Sequence, residues 1–285
     1  MTIEVNGVRL FTRQVGSGPM VVVLHGGPGA HHDYLLPQYD RLATGGGRGG
    51  RGGRALFYYD QRGGGQSPVP RDAPVGWREH VADLHAIGEV LGLERLTLCG
   101  YSWGGLLAIL YALEHPGNVE RLALVSPAGI AFEYRQQFEE EFARRMNTPE
   151  ILRERESLRS SGLRERDPAA YQRRAFELSV AGYFRDFRDA QHLTPFRVTA
   201  RTQQAVWDSL AEYDLRPRLR ALTSRISFPA SRVVHGTFDP ISIASSRELA
   251  SLIHADLVEL PVGHCPHVEA TDEFVRALDS FLPGQ

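Results

Sequence analysis

One serine in this chain sits where a serine can become a nucleophile. Gly100-Tyr-Ser102-Trp-Gly104 fits the pattern G-x-S-x-G. It directly follows an apolar run, Leu96–Cys99, that reads as a buried strand, and directly precedes Leu106–His115, whose apolar spacing is helical. Small residues two positions either side let a sharp strand-to-helix turn close without a Cβ clash. Such a turn lifts the hydroxyl above the sheet and places it at a helix N-terminus, where developing negative charge is favoured. A glycine-rich turn with an incidental serine would carry the same letters, but the flanking strand and helix speak against it.

A serine needs a base at neutral pH, and the base needs an orienting acid. Asp239 follows the apolar run Arg232–His235, and His264 follows the run Leu257–Leu260. The resulting order, Ser102, Asp239, His264, is the one expected of a strand-turn-helix nucleophile. His267 lies three residues on in the same loop and is the rival base. His264 is preferred because it follows Gly263 at the strand exit, where a loop presents a functional side chain. His25, His31 and His32 are expected to line or shape the same pocket. Acyl transfer also needs donors for an oxyanion. The backbone N–H of Trp103 is one candidate, and that of Gly27, in His25-Gly-Gly27-Pro-Gly29, is the other. That loop lacks the G-x-G-x-x-G spacing and the lysine of phosphate-binding loops. No spacing suggests a metal set, and no cofactor is expected.

The elements that must position these residues are legible around them. Val8–Val15, Met20–Leu24, Ala55–Tyr59, Leu96–Cys99 and Leu122–Val125 read as strands. Asp33–Leu42, His80–Leu91 and Leu106–His115 read as helices between them. This alternation predicts a parallel sheet with helices on both faces. From 131 to 225 the composition changes, and 18 Arg and 15 Asp or Glu fall in these 95 residues. Amphipathic stretches such as Phe138–Arg145 and Gln203–Leu210 predict an inserted helical cap whose charges are mostly a solvated face. Strand and helix patterns then resume with Arg232–His235, Ser242–Ile253, Leu257–Leu260 and Asp272–Phe281. The expected organisation is a discontinuous α/β core, 1–130 and 226–285, with a cap at 131–225.

Composition narrows the function classes. The chain has 285 residues, 42% hydrophobic and 23% charged, as in ordinary globular proteins. Net charge is −2, which provides no global field for nucleic acid or anionic lipid. All 32 basic residues are Arg, which removes lysine chemistry. The tract at 45–53, GGGRGGRGG, reads as a surface loop rather than a nucleic-acid segment, since it carries no aromatics. Two cysteines, Cys99 and Cys265, make no disulfide framework. No signal-peptide pattern or membrane-span-length apolar run appears, so a cytoplasmic location is expected.

Three motifs together resemble the proline iminopeptidase group of α/β-hydrolases: His25-Gly-Gly-Pro-Gly29, Asp60-Gln-Arg-Gly-Gly-Gly-Gln-Ser67 and Gly100-Tyr-Ser-Trp-Gly-Gly105. The resemblance implies an eight-stranded, mostly parallel sheet, a cap after the sixth strand, and removal of an N-terminal residue, often proline, from short peptides. It implies Ser102 as nucleophile, Asp239 as acid, His264 as base, and Gly27 and Trp103 as oxyanion donors. Peptidases of this group meet the substrate's α-ammonium with acidic side chains, mainly from the cap. A buried unpaired ammonium is costly, so a carboxylate is expected there. Glu212, just after the Trp207–Leu210 stretch, is the first candidate. Glu177, Glu140, Glu139 and Glu141 follow, although solvation is the commoner fate of a glutamate. Pro240 departs from members that place an acid beside the catalytic aspartate. A carboxylester or amide hydrolase of small uncharged substrates is the alternative, and a non-catalytic binding protein stands behind both.

Overall fold

In the computed structural model, which describes residues 1–44 and 53–284, the apolar runs become one eight-stranded sheet. Its strands are β1 (Thr2–Val5), β2 (Val8–Val15), β3 (Met20–Leu24), β4 (Ala55–Tyr59), β5 (Leu96–Tyr101), β6 (Val119–Val125), β7 (Ala230–Gly236) and β8 (Asp256–Leu260), ordered β1-β2-β4-β3-β5-β6-β7-β8. The pairs β1–β2 and β2–β4 are antiparallel, and all other neighbours are parallel. β3, β4 and β5 are buried along nearly their whole length, which is why they read as continuous apolar runs. β1 escapes the sequence reading because it has only four residues. Its signal is the Asn6-Gly7 pair, both at positive φ, that turns it into β2.

The helices are α1 (Trp77–Val90), α2 (Trp103–Glu114), α3 (Phe132–Met146), α4 (Pro149–Ser160), α5 (Leu163–Arg166), α6 (Pro168–Ser179), α7 (Ala200–Leu210), α8 (Arg216–Thr223), α9 (Ile243–Ile253), α10 (Pro266–Glu269) and α11 (Thr271–Asp279). Leu84 and Ile87 of α1, Leu106 to Ala112 of α2, and Leu249 and Ile253 of α9 share a core with the sheet. Phe274 and Leu278 of α11 share a second core with Val21, Val23 and Tyr58. Between them these cores place helices on both faces.

One expected helix is replaced by something shorter. Asp33–Leu42 forms two 3₁₀ turns, Asp33–Leu35 and Tyr39–Thr44, either side of Pro37. A proline biases the preceding residue away from helix, and Leu36 is extended at ψ 151°. The Gly/Arg tract lies, except for Gly53, outside the described residues.

Between β6 and β7 the chain runs through α3 to α8 and two 3₁₀ turns, Ala181–Tyr183 and Phe187–His192. The two ends of this insertion are clasped together. Ala131 bridges Asp214, Phe132 N–H donates to Tyr213 O at 2.7 Å, and Leu215 N–H donates to Ile130 O at 2.9 Å. Much of its charge is spent in pairs one helical turn apart, such as Glu141 with Arg144 and Arg145. Among the described residues, no helix is long and apolar enough to cross a membrane.

Candidate active site

Ser102 stands between β5 and α2 at φ 53°, ψ −118°, a backbone region L-residues rarely adopt. The turn is held by Ser102 N–H donating to Val125 O at 2.9 Å and by Ser102 O accepting from Gly105 and Ala128. Its glycines are required by close approach. A Cβ at Gly100 would collide with the Gly104 carbonyl, and one at Gly104 with the Leu24 carbonyl.

The structure brings three of the expected side chains into one hydrogen-bonded series. Ser102 Oγ lies 3.1 Å from His264 Nε2. His264 Nδ1 lies 2.9 Å from Asp239 Oδ2 and 3.1 Å from Oδ1. Asp239 Oδ1 also accepts from Ile241 N–H at 2.8 Å. Burial alone would raise the Asp239 pKa. The facing His264 and His235 imidazoles, with the hydrogen bonds, outweigh it and hold the carboxyl below its ordinary value. An ionised Asp239 can only accept, so Nδ1 carries the proton and Nε2 is left to accept from the serine hydroxyl. Such a series can take a proton from Oγ as it attacks a carbonyl, with the carboxylate stabilising the imidazolium that forms.

Gly27, Ser102, Trp103 and His264 line one cavity of about 280 Å³. Trp103 is the first residue of α2, so its N–H has no acceptor within the helix. Among the described residues, the Gly27 N–H has no hydrogen-bond acceptor either. The loop carrying Gly27 is fixed from below. Gly26 N–H donates to Tyr34 Oη at 2.6 Å, and a Cβ at Gly26 would sit 2.9 Å from that of Ser102.

Several residues that matter here were not singled out from sequence. Gln61 ties three parts of the site together. Its N–H donates to His25 Nε2 at 3.0 Å, its Nε2 donates to His25 O at 2.9 Å, and its Oε1 accepts from Trp103 Nε1 at 2.7 Å. Asp60 accepts from the His32 backbone, from His32 Nδ1 and from Gln66 N–H. The Asp60–Ser67 motif is therefore a brace between the glycine loop and the nucleophile turn. The motif itself was the available signal, but its letters do not reveal what it holds. Tyr183, from the insertion, stacks on His264 at 5.0 Å and accepts its N–H at 2.6 Å. Gly263 must be glycine because a Cβ there would collide with the Tyr183 carbonyl. Half-buried Glu269 accepts from both Gly263 N–H and Arg185 N–H, joining the histidine loop to the insertion.

Other expectations are sorted by the structure. His25, His31 and His32 do not line this cavity, though two of them shape it from behind. His25 and His32 are buried supports of the glycine loop, and His31 lines a neighbouring cleft. Glu212, Glu177 and Glu140 are not in the cavity lining. Ala211, at φ 52°, turns the chain so that Glu212 is exposed while Tyr213 faces inward. Glu177 is buried between Arg173 and Arg174, at 3.0 and 2.9 Å. Glu140 is exposed one position around α3 from Glu139. Glu141 is pulled down to about 2 by its hydrogen bonds from Arg144 and Arg145. Among the described residues, the one carboxylate that lines the cavity is Glu139, and it is paired with Arg135 at 2.9 Å. Aromatic residues supply most of the remaining wall, among them Tyr34, Phe138, Tyr183, Phe196, Trp207 and Tyr213.

Comparison with known proteins finds relatives of the chain. The chain is 39% identical over 126 residues to a proline iminopeptidase of Lactobacillus helveticus, a stretch covering 42% of this chain and 40% of that protein. The match thus spans about 40% of the length of that curated relative. Among solved structures, a proline iminopeptidase of Mycobacterium smegmatis superposes with a TM-score of 0.68 at 21% identity, covering 99% of this chain and 96% of that one. An esterase from Exiguobacterium antarcticum superposes equally well, with a TM-score of 0.68 at 21% identity over 97% and 96% of the two chains. The profile of the alpha/beta hydrolase fold matches residues 19–271. With the match spanning most of its length, the chain belongs to the α/β hydrolase fold family.

Proposed function

We propose that the protein is a serine hydrolase that releases N-terminal residues, proline or small apolar ones, from short peptides through an acyl-enzyme on Ser102. The observation that carries the reading is the series Ser102–His264–Asp239, opening onto the same cavity as Gly27 and Trp103. Similarity to the proline iminopeptidases supports the choice of substrate. In this reading Ser102 Oγ attacks the scissile carbonyl while His264 Nε2 takes its proton. The N–H groups of Gly27 and Trp103 meet the developing oxyanion, each contributing about 3 kcal/mol. His264 returns the proton to the leaving amine. It then draws a proton from the water that attacks the acyl-enzyme, and passes that proton to Ser102 Oγ as the acyl–oxygen bond breaks, which frees the acid and restores the serine.

A second reading, hydrolysis of small uncharged esters or amides, is favoured by the cavity wall. Among the described residues its one carboxylate, Glu139, is largely exposed and shared with Arg135, so the wall offers no buried, unpaired acid for an α-ammonium. One panel separates the two. Prolyl and alanyl arylamides, their N-acetylated forms and short-chain aryl esters are compared in the wild type and in Ser102→Ala. The peptidase reading expects turnover of free-amine arylamides that N-acetylation abolishes. It expects the alanine variant to lose several orders of magnitude on every substrate, and a fluorophosphonate to label Ser102. Equal turnover of acetylated and free forms would transfer the assignment to the ester or amide class. Full activity in the alanine variant would overturn both.

A further inference from the structure

Among the described residues, Arg135 is the only cationic side chain, His264 aside, that lines the cavity. It projects from α3, with Phe138 and Glu139 following at helical spacing on the same cavity-facing side. Its guanidinium lies over the Trp207 ring, 4.6 Å from the centroid, and 5.9 Å from that of Phe132. Only its Nε is committed, donating to Glu139 at 2.9 Å. Among the described residues, no hydrogen bond takes up its two terminal NH₂ groups.

This is an unusual placement for a charge. The wall around it is largely aromatic, and the pair with Glu139 does little to neutralise it. Glu139 is 56% exposed, and ion pairs of that kind are weak and screened by solvent. Stacking on Trp207 fixes the plane of the fork before any ligand arrives, so little freedom is lost on binding. A planar, pre-oriented guanidinium with its terminal donors free matches a carboxylate in a bidentate arrangement. An ammonium group, by contrast, would gain Glu139 only by competing with Arg135.

Resting on the hydrolase reading above, we propose that Arg135 anchors a carboxylate of the substrate, so that the preferred substrates are short acids with a free carboxylate. For a peptide, that group is the free C-terminus of a di- or tripeptide. For an ester, it is the free acid of a hemiester. Arg135 is then the residue that sets specificity by length and charge, while the chemistry stays with Ser102.

The test uses matched pairs that differ only in this charge: Pro-Ala against Pro-Ala-amide, and monoethyl succinate against diethyl succinate. Binding to Ser102→Ala, measured by calorimetry, reads the inference independently of turnover. The acid of at least one pair should bind at least tenfold more tightly than its neutral partner. In Ser102→Ala/Arg135→Gln that ratio should fall close to one, and with Arg135→Lys it should be intermediate, because lysine keeps the charge but loses the fork. In enzymes retaining Ser102, the same ratio should appear in kcat/KM and reside in KM. A binding ratio near one in Ser102→Ala for both pairs, or one untouched by Arg135→Gln, overturns the proposal. If the acids bind selectively but no substrate of either class turns over, the hydrolase reading fails and the carboxylate anchor stands. Circular dichroism and thermal unfolding establish that each variant is folded. If Arg135→Gln does not fold, the lysine variant decides, and an unchanged ratio there counts against the fork.

Discussion

His264 and His267 stand three residues apart in one loop, yet they meet opposite surroundings. His264 touches Ser102 on one side and Asp239 on the other, at the edge of the cavity. His267 is fully buried against the rings of Tyr39, Tyr101 and Phe274, with no hydrogen-bond partner for either ring nitrogen among the described residues. Burial pushes its pKa down to about 3, so it is an uncharged packing residue at neutral pH. His264→Ala should therefore lose activity by about as much as Ser102→Ala, since residues acting as a unit fail together. His267→Ala should keep turnover within about tenfold of wild type but lose about 2–4 kcal/mol of stability, as core truncations do. Steady-state rates and urea unfolding of the two variants check this. A dead but fully stable His267→Ala would reassign the base.

At the scale of elements, the site is built where three loops meet at the C-terminal ends of strands. The glycine loop leaves β3, the Asp60–Ser67 loop leaves β4, and the nucleophile turn leaves β5. Gln61 spans all three with hydrogen bonds to His25 and Trp103. Gln61→Ala should free the glycine loop from the nucleophile turn and misplace the Gly27 donor. A misplacement of about 1 Å costs about 100-fold in rate, so kcat should fall by about that factor with KM little changed. An unaltered kcat, measured on the best substrate of the panel, would confine Gln61 to a structural role. The nucleophile turn and the order of its partners were readable from sequence because strand runs, a G-x-S-x-G turn and strand-exit residues are local patterns. The supports were not, because they are made between loops far apart in the chain, as with Gln61 and Trp103. Which of the cap carboxylates reaches the cavity, Glu139 rather than Glu212, Glu177 or Glu140, was not readable for a related reason. Which face of a cap helix looks into a cavity depends on its docking, and one residue of rotation separates Glu139 from Glu140.

For the whole molecule, the buried imidazoles set an acid limit. Burial is the largest cause in each case, and it lowers His25 to about 4 and His80 and His267 to about 3. Their unfolded value is about 6.5. Between these limits the unfolded chain binds protons that the folded chain refuses, so stability falls as pH drops below about 6.5. Glu269 acts in the opposite sense, because burial raises its pKa to about 6 and the folded chain gains that proton first. Buried His235 is lowered in the same way, so the imidazoles outnumber Glu269 and the net slope is a loss of stability as pH falls, about 1.4 kcal/mol per pH unit for each unbalanced proton. Thermal midpoints should therefore fall by several degrees between pH 6 and pH 5. His80→Phe or His267→Phe should make the fall shallower, and a midpoint flat over that interval would refute the account.

The contact between the insertion and His264 bears on how such a protein can change its preferences over generations or in the laboratory. A roof that only enclosed the substrate could be exchanged freely for another. Here the roof also supplies the surface on which the imidazole rests, the Tyr183 ring, and it holds the histidine loop through the Tyr183 carbonyl, which accepts the His264 backbone N–H, and through Arg185 N–H, which donates to Glu269. A transplanted roof would have to carry an equivalent of Tyr183–Arg185. Without it, the chimera inherits a new pocket over a base that no longer faces Ser102. Recruitment to new substrates should then proceed along α7, whose Gln203, Gln204 and Trp207 line the cavity, and along α3 only where Phe138 and Phe142 keep their packing on Tyr183, leaving the Tyr183–Arg185 segment in place.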